Sequence, residues 1–186
     1  MKGESWMKVT KTPLAGLLLI EPTIFRDHRG FFFESYHRQR FVEAGIDFDW
    51  VQDNHSLSVA AGTIRGLHFQ TPPKAQTKLV RVIRGAVYDV AVDLREGSGS
   101  KGQWFGTILS SHNQRQLLIP KGFAHGFCTL VENTEVMYKV DELYSPHHDG
   151  GILWNDPDLG IPWPTSEPTL SDKDARHPRL RDAGLR

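Results

Sequence analysis

Two short segments carry histidines in settings suited to proton transfer. The first, 65–70 (RGLHFQ), contains His68, and the second, 119–127 (IPKGFAHGF), has a Pro-x-Gly-x-x-His turn that leads to His125. An imidazole titrates near neutral pH, so it can act as a general base or acid, and its neutral form can bind a metal. A single histidine is more commonly structural than catalytic, so each segment indicates a candidate that needs support from its neighbours.

Period-two alternation predicts which side chains share a face of each strand. It places Gln70 and Ile64 on the same face as His68, and Arg65 on the opposite face. In a later strand it groups Tyr138 with two valines, which predicts an inward-pointing ring. Without other information, such a tyrosine is more commonly a core aromatic whose hydroxyl bonds a neighbour.

The elements that must position these residues are mostly short strands. β-rich runs separated by Gly, Pro and Ser occur at 79–83, 88–94, 104–109 and 135–140. Helical signals are limited to 38–44, which Gly45 is expected to end, and a short candidate at 171–175. This pattern predicts an all-β sandwich or barrel with a few short peripheral helices. His125 shares its parity with Phe123 and Phe127, which predicts a place inside the barrel, hydrogen-bonded to Asp89.

Length and composition narrow the class of protein. The 186 residues predict one domain, 1–186, with a core at about 10–160 and a Pro-rich C-terminal segment, 161–186, that wraps the barrel. The 22 Lys+Arg balance 22 Asp+Glu, which argues against nucleic-acid or anionic-membrane binding. A single cysteine, Cys128, indicates a reducing compartment. The sequence shows neither an apolar run long enough to span a bilayer nor the pattern of a secretory signal, so we expect a cytoplasmic location.

The sequence lacks a nucleotide-cofactor motif in the context that such a motif requires. No Gly-x-x-x-x-Gly-Lys-Ser/Thr pattern occurs, and the Gly-x-Gly-x-x-Gly spacing at 97–102 leads into the β-rich run 104–109 and not into a helix, which argues against NAD-dependent sugar epimerases. The turn before His125 resembles the second motif of the cupin superfamily, small jelly-roll barrels that often hold a metal. Metal-binding cupins usually carry His-x-His in their first motif, where this chain has His68-Phe69-Gln70. Because an amide is a poor transition-metal ligand, we expect a cupin barrel without a metal.

A series of motifs makes the resemblance specific. In order along residues 25–174 they are FRDHRGFFFES (25–35), VQDNHS (51–56), RGLHFQ (65–70), QTKLV (76–80), YDVAVD (88–93), GFAHGF (122–127), YSP (144–146), ILWNDP (152–157) and LSDKD (170–174). One such motif is weak support, but the ordered series is strong. The chain thereby resembles the dTDP-4-dehydrorhamnose 3,5-epimerase family, cupin-type jelly-roll enzymes of dTDP-L-rhamnose biosynthesis, which supply a nucleotide-sugar precursor for lipopolysaccharide or cell walls.

The resemblance implies a cofactor-independent reaction. The C3 and C5 centres of dTDP-4-dehydro-6-deoxy-D-glucose are inverted to give dTDP-4-dehydro-L-rhamnose. The 4-ketone acidifies both positions, so a base, a group that holds the enolate oxygen and an acid on the opposite face suffice. By resemblance, His68 is the base, paired with Asp174; Lys78 faces the C4 oxygen, and Tyr138 is the acid. No metal and no cofactor are implied.

Two of these roles have ordinary structural alternatives. Asp174 follows Ser171 at the spacing of a helix-capping box, and on the residues alone capping is the stronger interpretation. Lys78 could be a solvated lysine at the start of a strand. The resemblance reverses both preferences.

The resemblance also implies a substrate-binding set. Arg29 and Arg65 are similar to diphosphate ligands, as suits a planar guanidinium. The other members are Glu34, Gln52 and Asn54 around the thymidine and phosphates, Phe25 against the base, Lys173 as a further cation, and His125 in a supporting role. Arg29, Arg65, Lys78 and Lys173 are expected to converge on one pocket.

The resemblance also implies an assembly, and three other functions are compatible with the residues. Family members are homodimers that exchange N-terminal strands, for which segment 7–20 is the candidate here. Three alternatives remain open: a relative that inverts only C3 or only C5, a metal-dependent cupin oxygenase, and a non-catalytic sugar-binding jelly roll. The missing second histidine disfavours the oxygenase. The sequence does not rank thymidine against uridine, and it leaves open whether His125 takes part in catalysis.

Overall fold

A computed structural model describes residues 6–184. Within that range the chain forms strands and few helices, in the order β1 (Met7–Lys11), β2 (Leu18–Pro22), β3 (Phe25–Asp27), β4 (Gly30–Phe32), α1 (Arg38–Glu43), β5 (Gln52–Ser58), β6 (Ile64–Gln70), β7 (Lys78–Arg84), β8 (Ala86–Asp93), β9 (Trp104–Ser110), β10 (Gln116–Ile119), β11 (Phe123–Thr129), β12 (Thr134–Val140) and β13 (Asp149–Gly151). Two 3₁₀ turns follow, Asp174–Arg176 and Leu180–Asp182.

The strands form two larger antiparallel sheets. One has the order β1-β2-β10-β7-β12-β5 and the other β13-β6-β11-β8-β9, while β3 and β4 make a separate hairpin. Neighbours in each sheet are seldom consecutive in the chain, as in a jelly roll, where strands alternate between two sheets. The predicted all-β jelly roll with short peripheral helices is confirmed.

The main core lies between the two sheets. The six-stranded sheet contributes Val80, Val82 and Val136 to it, and the five-stranded sheet contributes Val87, Ala91, Phe123 and Phe127. Side chains at alternate positions of the two sheets therefore meet face to face.

The outer face of the five-stranded sheet is also buried. Its strands present Leu67, Phe69, Val90 and Val92, and the chain after β13 packs over them with Ile152, Leu159, Trp163 and Leu180. The apolar face predicted for 88–94 is this outer face, while Asp89 and Ala91 point into the barrel. Burial on both faces explains why β8 is apolar at so many successive positions.

The helical elements are short. α1 ends one residue before the predicted limit, and Gly45 follows it at a φ of +80°, as expected for a glycine that ends a helix. The candidate at 171–175 is a single 3₁₀ turn, Asp174–Arg176. In the described part of the chain no helix is long and apolar enough to span a membrane.

Candidate active site

A cavity of about 410 Å³ opens between the two sheets. Its walls come from β5, β6, β7, β11 and β12 and from the segment 169–174. Its volume suits a small-molecule ligand. Seven of the predicted site residues line it: Arg65, His68, Lys78, His125, Tyr138, Lys173 and Asp174.

A β-bulge decides how β6 faces this cavity. His68 pairs with His125 and Arg65 pairs with Phe127, so three steps along β6 oppose two steps along β11. The extra residue reverses the alternation, and Arg65 and His68 both line the cavity. The prediction that Arg65 faces away from His68 was wrong, because it assumed an uninterrupted period of two.

Gly66 makes the bulge sterically possible. Its φ is +129°, and a Cβ atom there would lie 2.5 Å from the Cα of Gly126 and 2.8 Å from the carbonyl oxygen of His125. Only glycine allows so close an approach between β6 and β11. The Gly66 N–H also points at Asp174 and donates to Oδ2 over 3.4 Å. The bulge therefore orients both His68 and the carboxylate beside it.

His68 and Asp174 form a hydrogen-bonded pair. Their Nε2 and Oδ1 atoms are 2.6 Å apart, and the Asp174 side chain is only 5% exposed while that of His68 is 34% exposed. Burial by itself raises the pKa of Asp174, but the hydrogen bond and charge of His68, the Gly66 N–H and Ser171 outweigh it, so the pKa is lowered. The carboxylate is thus held ionised beneath an imidazole that is open to the cavity.

The capping geometry at Asp174 coexists with this pair. The Asp174 N–H donates to Ser171 Oγ over 3.1 Å, as the capping alternative requires. The carboxylate, however, is directed to His68. The backbone of Asp174 therefore takes part in capping, and its side chain pairs with His68.

Lys78 and Tyr138 face the pair from the opposite sheet. They lie on the neighbouring strands β7 and β12, where Tyr138 pairs with Val80 and Lys78 with Val140, so they are diagonal neighbours. Lys78 is 8% exposed, and its Nζ lies 3.5 Å from the backbone oxygen of His68. Lys78 is therefore buried in the cavity wall, and the alternative of a solvated lysine is wrong.

Burial changes the proton affinity of both groups. It lowers the pKa of Lys78 to about 8, against the opposing charges of Asp149 and Asp89. It raises the pKa of Tyr138, while Arg65 lowers it and Asp149 raises it further. At neutral pH the cavity therefore holds a cationic amine and a protonated phenol across from an imidazole.

His125 is hydrogen-bonded to Asp89, as predicted. Its Nε2 lies 3.0 and 3.1 Å from the two carboxylate oxygens of Asp89, and both side chains are buried. Because Nε2 is engaged by a buried carboxylate, the ring is fixed in the cavity wall.

Three predicted binding residues do not reach this cavity within one chain. Phe25 and Arg29 belong to the β3–β4 hairpin, which borders a different surface cavity. Arg29 is neutralised by Asp27, whose carboxylate accepts its Nε over 3.1 Å and its terminal nitrogen over 2.5 Å. Glu34 forms an ion pair with Arg40. The expected convergence of four cations was therefore wrong for Arg29 in a single chain, since an acid two residues away holds its guanidinium in the hairpin.

Gln52 and Asn54 lie on the edge strand β5, next to the cavity. Asn54 pairs with Tyr138 across the strands and has the parity of Ser56, which lines the cavity. The Gln52 amide donates to Asn54 Oδ1 over 2.8 Å and accepts the Tyr144 N–H over 3.1 Å. Both amides thus continue the polar wall beyond the cavity.

Sequence reasoning missed Asp149 and His177. Asp149 accepts bonds from Lys173 and from the Tyr144 hydroxyl, and it opposes the lowering of the Lys78 pKa. His177 lies behind Asp174, with Nε2 3.5 Å from Oδ1. Its spacing of three residues from Asp174 was the available signal, because side chains three apart eclipse in a 3₁₀ turn.

The described residues include one group with metal-ligand chemistry. It consists of His68, Asp174 and His177, whose ligand atoms lie within 4.8 Å of one another. Two ligands of a tetrahedral zinc ion stand about 3.3 Å apart, whereas His68 Nε2 and Asp174 Oδ1 are 2.6 Å apart. That separation is a hydrogen bond, so the group is not preformed for an ion.

A jelly roll whose cavity sets a histidine–carboxylate pair opposite a lysine and a tyrosine defines a cupin-type protein with a site built for proton transfer. The sequence model of the dTDP-4-dehydrorhamnose 3,5-epimerase family matches residues 11–182. The chain belongs to that family.

Individual members of the family are similar to this chain along nearly its whole length. The dTDP-4-dehydrorhamnose 3,5-epimerase of Salmonella typhimurium is 54% identical over 181 residues, which cover 96% of this chain and 98% of the relative. The crystal structure of the Bacillus anthracis enzyme with TDP and PPi bound is 60% identical, covers 93% of this chain and 99% of its own, and has a TM-score of 0.92. The Legionella pneumophila enzyme in complex with dTDP-4-keto-L-rhamnose is 46% identical, with 94% and 93% coverage and a TM-score of 0.90.

Proposed function

We propose that this chain epimerises dTDP-4-dehydro-6-deoxy-D-glucose at C3 and C5 to dTDP-4-dehydro-L-rhamnose, in the biosynthesis of dTDP-L-rhamnose. The observation that carries the proposal is the 2.6 Å His68–Asp174 pair on one sheet, facing Lys78 and Tyr138 on the other. Inversion of a carbon needs groups on both of its faces, and the two sheets of the jelly roll supply them.

The first step is proton abstraction by His68. Because Nε2 bonds Asp174, Nδ1 is the nitrogen available to remove the hydrogen next to the 4-ketone. Asp174 orients the ring and stabilises the imidazolium that forms. Lys78 neutralises the negative charge that develops on the C4 oxygen, and its burial strengthens this interaction.

The second step is reprotonation from the other face. Tyr138 retains its phenolic proton at neutral pH because burial raises its pKa. It delivers that proton to the carbon of the enolate, and the configuration inverts. Solvent then takes the abstracted proton from His68 and returns a proton to the Tyr138 phenolate, so both groups are restored. The same groups act at C3 and at C5, since both carbons flank the ketone that Lys78 holds.

Binding of the nucleotide uses the rest of the predicted set. Arg65 and Lys173 border the cavity and bind the diphosphate, with the amides of Gln52 and Asn54 beside them. His125 supports the cavity wall through Asp89. These assignments leave the base without a partner from the same chain.

A homodimer would supply the missing groups. β1 forms the edge of its sheet, and segment 7–20, which contains it, is the part that we propose exchanges with a second copy. The adjacent hairpin exposes Phe25, Phe31 and Phe32, which are 41%, 51% and 66% accessible. We propose that exchange brings Phe25, Arg29 and Glu34 to the cavity of the second copy. The chain would then act as a single epimerase domain, 1–186, in the cytoplasm.

Hydrogen exchange with solvent tests the proposed reaction. The protein is incubated in deuterium oxide with dTDP-4-dehydro-6-deoxy-D-glucose, and the sugar is analysed by mass spectrometry and NMR. Deuterium at both C3 and C5, with formation of dTDP-4-dehydro-L-rhamnose, is the expected result. Label at a single carbon would instead identify a monoepimerase, and no label would refute the enzymatic reading.

A further inference from the structure

His177 lies beside the same carboxylate oxygen of Asp174 that His68 bonds. It directly follows the 3₁₀ turn that contains Asp174, and its ring meets that of His68 edge-on, with centroids 5.6 Å apart and an interplanar angle of 72°. The ring lies against Gly151 of β13, where a Cβ atom would come within 2.3 Å of its Cε1 and Nε2. The absence of a side chain at Gly151 therefore leaves the space in which the His177 ring packs beside the His68–Asp174 pair.

The buried nitrogen of His177 has no conventional partner. The side chain is 8% exposed, and Nε2 is buried without a hydrogen bond. Asp174 Oδ1, at 3.5 Å, is too far for a hydrogen bond of normal geometry but close enough for a contact between an N–H dipole and a carboxylate charge. An unsatisfied buried polar atom in a native structure requires an explanation, and here its neighbour is the carboxylate that orients the base.

We propose that His177 is a positioning residue that presents a neutral N–H to Asp174 Oδ1, confining the carboxylate to His68 and moderating the basicity of that histidine. The inference rests on the proposed epimerase function. Oδ1 then faces two imidazole nitrogens, one at hydrogen-bond distance and one farther away. Part of the charge on Oδ1 is therefore compensated before the reaction begins.

The charged groups around His177 agree with a neutral ring. Burial is the largest effect and lowers the pKa of His177, and the charges of His68 and Lys173 lower it further. Asp174 and Asp149 oppose them without reversing the result. At neutral pH His177 therefore does not compete as a cation for the carboxylate on which His68 depends.

The test compares the pH profiles of two His177 variants. His177→Phe fills the ring volume without any nitrogen, whereas His177→Gln restores an N–H donor. In His177→Phe the full charge of Asp174 acts on His68, so His68 takes up a proton more readily. The acidic limb of kcat should move to higher pH by about 0.5 unit, as expected for loss of one compensating dipole beside a charged pair. KM should change less than twofold, and His177→Gln should restore the original profile.

A third variant addresses the position of the ring without altering it chemically. Gly151→Ala places a methyl group where the His177 ring lies, so the same shift is expected, and it should not add to that of His177→Phe in the double variant. A folded His177→Phe protein, verified by thermal unfolding, whose acidic limb coincides with that of the parent would overturn the proposal, as would a His177→Gln profile identical to that of His177→Phe. Failure of the parent protein to exchange deuterium would instead refute the proposed function, so the two failures are distinguishable.

Discussion

Arg65 and His68 lie three residues apart on one strand and face the same cavity, because a bulge between them reverses the alternation of side chains. The proposed phosphate ligand and the proposed base are thereby brought together by a single backbone irregularity. The irregularity depends on Gly66, which lies against the backbone of the adjacent strand.

We expect Gly66→Ala to destabilise the fold and to remove activity in whatever fraction still folds. The added Cβ would meet Gly126 Cα at 2.5 Å in a backbone conformation of positive φ, so strain and overpacking add. Together they should lower the free energy of unfolding by about 3 kcal/mol or more. Denaturant unfolding measures this change.

Gly30→Ala is the matched control for this variant. Gly30 has nearly the same φ, +132°, but no atom lies within 4 Å of its hypothetical Cβ. It should show only the conformational cost of about 1–2 kcal/mol. Equal losses in the two variants would show that the contact with Gly126 is unimportant.

The features that the sequence predicted are those with a regular period or a long shared motif. The inward directions of Tyr138 and His125 follow from alternation, and both side chains lie where it placed them. The His68–Asp174 pair joins residues 106 positions apart, which no local pattern can reveal, so only the family resemblance predicted it.

The features that were missed depend on local interruptions. Nothing in the residue types around Arg65 distinguishes a bulged strand from a regular one, apart from the glycine beside it. Asp27 captures the guanidinium of Arg29 in a tight hairpin, an effect that composition does not show. His177 was hidden in a tail interpreted as a covering segment, although its spacing from Asp174 is that of neighbours in a 3₁₀ turn.

His68→Asn should abolish deuterium exchange at C3 and C5. An amide has no titratable lone pair at neutral pH, so the loss should be at least about 100-fold, the usual contribution of a general base. The rate of label uptake, measured by mass spectrometry, checks this. His55→Asn is the control, since His55 is exposed and pairs with Glu135 outside the cavity. Comparable exchange in the two variants would mean that His68 is not the base.

Tyr138→Phe should separate proton removal from inversion. His68 can still remove and return a proton on its own face, so some deuterium exchange persists, while net epimerisation falls by about 100-fold. NMR of the recovered sugar distinguishes label retention from inversion. Tyr88→Phe serves as the control, because it removes a hydroxyl on the outer face of the same barrel, where Tyr88 meets Trp163. Full inversion in Tyr138→Phe would reassign the acid.

Lys78 should produce an alkaline limb in the pH dependence of kcat/KM. Its pKa is lowered to about 8 by burial, so the free enzyme loses the cation that faces the enolate as the pH rises through that value. We therefore expect kcat/KM to decline above about pH 8 and to fall at least about 100-fold at pH 7 in Lys78→Met. An unchanged alkaline limb in Lys78→Met would show that another group titrates there.

The same burial predicts that Lys78 costs the fold stability. The unfolded chain, with a lysine pKa near 10.5, binds this proton more tightly than the folded chain, with a pKa of about 8. The cost is therefore fully present below pH 8 and disappears as the pH rises toward 10.5. Removal of the charge in Lys78→Met should raise the free energy of unfolding by up to about 3 kcal/mol at pH 7, and by much less at pH 10.

Denaturant unfolding at the two pH values tests this prediction. Lys121→Met is the control, because the Lys121 side chain is half-exposed. A Lys78→Met protein that is less stable than the parent at pH 7 would contradict the prediction. Such a result would mean that the anions Asp149 and Asp89 stabilise the buried amine more strongly than burial destabilises it.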